Sequence, residues 1–286
     1  MNKTFLPWLA LLVASVSAFA TTHNINIASE LKNLNACASS DTIKLMHSIQ
    51  MSGVDFSPLC PEGFYGVFDG GGDTISNLNI TENMKDVHDI AFIAVLKKGG
   101  VLKNVTFASP TIVATQNGQG GVREASVAVA VGELQGGSVE NVHVSSGTVI
   151  IKEGKNASGI DAGGVAGSAQ SGQISESGGD INVSSNGSGT INIGGICGNV
   201  TGEVALTSVT YTGDASIAGS ISGDATLTST YGAVTITQTR SANSAVMNGA
   251  YTGQDTIKFL KGISVNSVEF TRSFTENTMS TLMLPF

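Results

Sequence analysis

One six-residue pattern recurs along this chain and constrains everything else. It reads apolar, polar, Asn or small polar, apolar, polar, apolar. Clear copies are ISNLNI (Ile75–Ile80), LKNVTF (Leu102–Phe107) and VENVHV (Val139–Val144). Weaker copies follow at Ile174-Ser-Glu176-Ser177, Leu206–Tyr211 (LTSVTY) and Leu227-Thr-Ser229-Thr230. The last three positions alternate with period two, so Val105/Phe107 and Val142/Val144 share one face of a strand. The Asn position marks a bend, because Asn tolerates the left-handed conformation and bonds to neighbouring backbone. Stacked Asn side chains can also bond to one another between copies. A unit this short cannot bury its own apolar face; copies must stack to make a core.

A second pattern precedes the first. It reads Gly164-Val-Ala-Gly167, Gly195-Ile-Cys-Gly198 and Ser216-Ile-Ala-Gly219, with less glycine-rich versions at Ala130-Val-Gly132 and Phe92-Ile-Ala-Val95. The unit is therefore strand, Gly turn, strand, Asn bend, strand. Its steps are 27, 37, 35, 32 and 21 residues. Fixed motifs at drifting spacing predict stacked coils with loops of variable length on one side. The expected fold class is all-β, a right-handed parallel β-helix with an N-terminal cap. Inward columns of small apolar residues would fill a narrow interior. Composition agrees: 36 of 286 residues are Gly, Pro is scarce at 5, and Val, Ile, Ser and Thr abound.

The start of the chain, MNKTFLPWLALLVASVSAFA, has a basic Lys3, a short apolar run and the small-x-small site Ala18-Phe19-Ala20. It reads as a secretory signal peptide, residues 1–20. Its removal takes Trp8, the sole Trp, and Lys3, moving the formal net charge from −8 to −9. Such acidity argues against nucleic acid and anionic membrane as partners. No later apolar run is long enough for a membrane helix, so no integral membrane segment is expected after cleavage. Residues 21–61 are expected to cap the first coil, residues 62–262 to hold the repeats, and residues 263–286 to begin a C-terminal module that is cut short.

Chemistry-bearing residues are sparse. Cys37 and Cys60 are placed to form a disulfide in a secreted chain. Cys197, in GGICG, reads as a small buried apolar residue. The stretch FDGGGDTISNLNI puts Asp69 and Asp73 around three glycines. Two carboxylates fall short of the six to eight oxygens that calcium takes, and the stretch reads as the corner of an early coil. No catalytic residue, metal ligand or cofactor is assigned. Glu140 and Glu176 sit in neighbouring copies but at different positions of the template, which argues against a glycosidase pair. Tyr211, Tyr231 and Tyr251 are spaced 20 residues apart. Facing inward they would be packing; facing outward they would form an aromatic column for sugar rings.

GGVAG (Gly163–Gly167), GGICG (Gly194–Gly198), the segment Phe68–Leu78 and VLKNVTF (Val101–Phe107) together resemble the GLUG-motif family of bacterial secreted and surface proteins. The resemblance spans about Gly63 to Thr237. It implies an extracellular repeat protein and names no activity. Metallopeptidases in which the motif is an accessory carry H-E-x-x-H, which this sequence lacks. Two functions are expected from these observations. The first is a non-catalytic secreted or cell-surface module, adhesin-like or structural, meeting extracellular glycans or a host or matrix surface. The alternative is a polysaccharide-active enzyme or carbohydrate-binding module on the same fold.

Overall fold

The computed structural model describes residues 21–39, 41–116, 124–152, 158–186, 189–212, 215–232, 234–248 and 265–271. Within them the chain is almost all β, with one short helix, Ala28–Lys32. The strands fall into stacks that pair in parallel from one repeat to the next. One inward column shows the construction: Ile43, Phe68, Leu102, Val139, Ile174 and Leu206 are successive register partners, each at most 1% exposed. A fully buried side chain of this kind contributes about 1.5–3 kcal/mol by leaving water, so the column is a main source of cohesion.

From this first stack the chain bends and enters a second, made of Ile49–Gln50, Thr74–Ser76, 105–108, 142–145, 178–180 and 210–212. Asn104, Asn141, Glu176 and Ser208 occupy the bend with φ between 49° and 54°. These are four of the positions singled out by the sequence pattern. A second bend, with Asn77, Ser109 and Ser146 at φ 50–53°, leads into a third stack. That stack contains Asn79–Asn83, Thr111–Thr115, 147–152 and 181–185. A connection then reaches a separate four-stranded parallel sheet: Asp89–Ile90, Ala125–Val127, Ile160–Gly163 and Ile191–Gly194. A turn of two or three residues returns the chain to the main sheet at Ile93–Lys97, 131–135, 166–171 and 197–200, and Ala218–Ile221 pairs with the last of these.

The register corrects the template at both ends. Ile75 lies opposite Phe107, not Leu102; Phe68 holds the place of Leu102. Asn77 therefore belongs to the second bend. The match slipped by one strand because apolar-polar alternation looks alike on both sides of a bend, and Gly70–Asp73 here adds a turn where later repeats have one Asn. At the other end, Leu227 lies opposite Val204, and Leu206 opposite Ser229. That slip of two residues keeps the inward face, since side chains alternate with period two.

Residues 21–61 lie at the start of the stack. Thr22–Ile25 pairs in register with Thr42–Leu45, which pairs with Val67–Asp69, so this segment supplies its own rungs. The helix buries Leu31 against them, and Glu30 accepts the N–H groups of Asn26 (2.7 Å) and Ile27 (3.3 Å) at its start. The parallel repeats were expected to reach residue 262. Instead they end at Thr226–Tyr231, after which Val234–Gln238 and Asn243–Asn248 form an antiparallel meander. Gly232, at φ +56°, begins the two-residue turn between the first two of these strands. A tight turn of this kind favours a hairpin over another rung.

The interior is not uniformly small. Phe92 stacks on Phe56 (5.7 Å between centroids) and meets Phe68 and Phe107 edge-on at 5.0 and 5.1 Å. Along the same columns later repeats set Leu102, Val139 and Ile174 in the place of Phe68, and Val144 and Gly179 in the place of Phe107.

Candidate functional site

The sharpest local geometry is the corner between the small sheet and the returning strands, written by the Gly-rich motif. A Cβ on Gly163 would lie 1.9 Å from the Ala166 carbonyl oxygen, and one on Gly167 2.4 Å from the Val127 nitrogen. No side chain fits at either place. The two backbones therefore pack against each other directly, and Gly194 with Gly198 repeats the arrangement one rung on. Cys197, in the same motif, is fully buried, and burial pushes its thiol up to about 12.

This close approach brings two rows of polar side chains face to face. Asp89, Ser126, Asp161 and Asn192 are register partners along the small sheet. Glu133, Ser168 and Asn199 are partners along the returning strands. Bonds cross the seam: Ser126 Oγ to Ser168 Oγ (3.1 Å) and Asn199 Nδ2 to Asp161 Oδ2 (3.2 Å). Asn192 Nδ2 donates to Asp161 Oδ1 at 2.7 Å. Burial raises the Asp161 carboxyl above its ordinary range, against the pull of these two amides. Asp89 is pushed up to about 6, by burial first and then by the neighbouring Glu133 carboxylate. The seam can hold and release protons in the mildly acidic range. Asp89, Glu133 and Asp161 lie far apart in the sequence and form no motif there. The signal that could have joined them is their fixed place: one group two residues before the first small residue of the corner motif, the other immediately after its last Gly.

A second polar line runs along the first bend. His143 Nε2 donates to Asn141 Oδ1 (2.8 Å), Asn141 Nδ2 to Asn104 Oδ1 (3.0 Å), and Asn104 Nδ2 to Asp69 Oδ1 (3.1 Å). The Gly71 N–H also donates to Asp69 Oδ1, at 2.9 Å, and Lys103 lies 3.7 Å from its other oxygen. Burial works against ionisation of Asp69, yet the Gly71 and Asn104 donors outweigh it and hold the carboxyl below its usual range. Asp73 instead accepts the Ser48 hydroxyl at 3.1 Å. The two acids around the glycine run thus serve a turn. Among the described residues no three His, Cys, Asp or Glu side chains group to hold a metal ion.

Cys37 and Cys60 are joined, with S–S at 2.06 Å, tying the first rungs to the segment before Phe64. Glu140 lies opposite Ser175, one position from Glu176, and Glu176 sits in the bend. Tyr211 is partly buried over Gly195, and its hydroxyl donates to the Ala215 carbonyl. A cavity of about 390 Å³ opens beside it, with Asp180, Asn182 and Thr212 in its wall. Tyr231 follows Thr230, the partner of Thr207, so its backbone comes level with Ser208, three residues ahead of Tyr211. Tyr251 lies outside the described residues, as does the segment 1–20.

Compared with protein-family models, curated proteins and solved structures, the chain finds no match. No helix among the described residues is long and apolar enough to cross a membrane.

Proposed function

We propose that this chain is a right-handed parallel β-helix that works as a non-catalytic, secreted or surface-attached interaction module, akin to the GLUG-motif proteins its repeats resemble. One observation carries the reading. The longest connections leave the stack at a single corner, between the third stack and the small sheet. They span 84–88, 116–124, 153–159 and 186–190. The returning corner holds two or three residues in each of the four repeats that enter the small sheet. A scaffold that gathers its longest loops along one edge presents that edge to a partner. The partner class that suits an acidic extracellular rod is a glycan or a matrix surface.

The test has two parts. N-terminal sequencing of protein recovered outside the cell is expected to begin at Thr21; a chain retaining Met1 inside the cell would overturn the extracellular reading. The purified protein, offered polysaccharides, is expected to bind without releasing reducing sugar. Sugar release would establish an enzyme instead and direct attention to Asp89 and Glu133.

A further inference from the structure

The stacks do not end together. From Val139 to Ile174 the chain uses 35 residues, and from Ile174 to Leu206 it uses 32. From Leu206 to its register partner Ser229 it uses 23. Among the described residues, the shortened repeat goes from Thr210–Thr212 to Ala218–Ile221 without a third-stack strand or a small-sheet strand. Ile181 to Ser184 consequently have a described strand partner on one side only, Gly147 to Ile150. The result is a ledge, one strand deep, at the corner where the connections vary.

Three features of the ledge point to the same kind of occupant. Its core column is left open: Ile80, Ile112 and Val149 are fully buried, while Val183, their next register partner, is only half-buried. Its backbone is aimed outward. Peptide groups along a parallel strand alternate in side, and Asn186 N–H donates to the Ile151 carbonyl of the rung below. By that alternation Asn182 and Ser184 face the rung below, and the N–H and C=O of Ile181 and Val183 face the ledge. Finally, the 390 Å³ cavity runs along this edge, with the consecutive residues Asp180 to Val183 on one wall and Tyr211 on the other.

We propose that the ledge is an acceptor site for an extended peptide strand of a partner protein, which adds in parallel and supplies the absent rung. The chemistry required is a short segment with β-branched apolar residues at alternate positions. One of these covers Val183, the backbone pairs with Ile181 and Val183, and the inward side chains face the cavity beside Tyr211, which continues the inward column of Val144 and Gly179. Main-chain bonds would give affinity and the alternate side chains specificity. Continuity with the stack supports this occupant: every earlier third-stack rung is covered by such a strand in register. The inference goes beyond the extracellular reading, since it depends only on the stack.

A suitable probe is the peptide GTVIIK, Gly147–Lys152, whose sequence already pairs with 181–185 from the other side. Calorimetry of the whole protein with this peptide is expected to show saturable one-to-one binding. Amide exchange at Ile181 and Val183 should slow at least tenfold in the complex. Val183→Pro, which removes an N–H facing the ledge, should weaken binding at least tenfold while the melting temperature stays close to that of the parent. If that variant does not fold, Val183→Lys keeps the N–H, removes the apolar cap and should produce the same loss. The proposal is overturned by absence of saturable binding, by protection elsewhere, or by equal affinity of the folded Val183 variant. It is also overturned if an oligosaccharide occupies the Tyr211 cavity with no change in Val183 exchange.

Discussion

Asn141 shows how one side chain serves both backbone and ladder. It holds φ +54°, donates to Asn104 and accepts from His143. A left-handed conformation costs a residue bearing an ordinary Cβ about 1–2 kcal/mol. Asn141→Ala is expected to lower stability by about that amount, plus about 1 kcal/mol for the lost bonds. Asn141→Gly should recover the backbone share, and urea unfolding of the two variants separates the contributions. Asp89 makes the complementary case through its proton. Its folded carboxyl titrates near 6, above the ordinary 3.8, so the folded state keeps a proton that the unfolded chain releases. Its contribution is therefore favourable at low pH and is lost as pH rises from about 4 to about 6. Melting temperatures of Asp89→Asn and the parent, followed over that range, should differ in slope, with the variant flatter. An unchanged slope would show that Asp89 is not the group responsible.

At the scale of the element, the Gly-rich motif is a packing device. Gly163 and Gly167 let two β-sheets touch backbone to backbone, and the contacts a Cβ would meet are main-chain atoms that cannot swing aside. Gly167→Ala is accordingly expected to be more damaging than a surface substitution, costing more than about 3 kcal/mol. The Ser126–Ser168 and Asp161–Asn199 bonds should weaken with it, because they cross the gap the new methyl group would widen. A cooperative melt within about 1 kcal/mol of the parent would refute this account of the motif. The bends teach a related lesson. Asn is not required there, since Glu176 and Ser208 take the same φ as Asn104 and Asn141. The pattern was legible because its spacing persisted where its chemistry did not.

At the scale of the whole molecule, stacked repeats predict modular behaviour. Each rung contacts mainly its neighbours, so an entire repeat should be removable if the register survives. Deleting residues 139–173 would join Ser138 to Ile174 and set Ile174 where Val139 now faces Leu102. The shortened chain is expected to keep its β circular-dichroism spectrum and melt cooperatively, at a lower temperature. A deletion shifted so that polar residues replace Ile174 in that column should not fold. Loss of structure in both deletions alike would argue against the stack as the unit of stability.

The sequence by itself determined the β character, the four internal bends at Asn104, Asn141, Glu176 and Ser208, and the shared faces of Val105 with Phe107 and Val142 with Val144, because side-chain periodicity and left-handed bends are local properties. The partnership of Cys37 with Cys60 was legible as well, from two cysteines close together near the start of the chain. Only the tertiary structure decided which copy lies on which. Ile75 was matched to Leu102 by pattern and to Phe107 by register, since alternation carries no label for its stack. The hairpin after Tyr231, the seam of Asp89, Glu133 and Asp161, and the ledge at Val183 were likewise out of reach. Each arises from how much chain intervenes between two rungs, and that length acquires meaning only when the rungs are laid on one another.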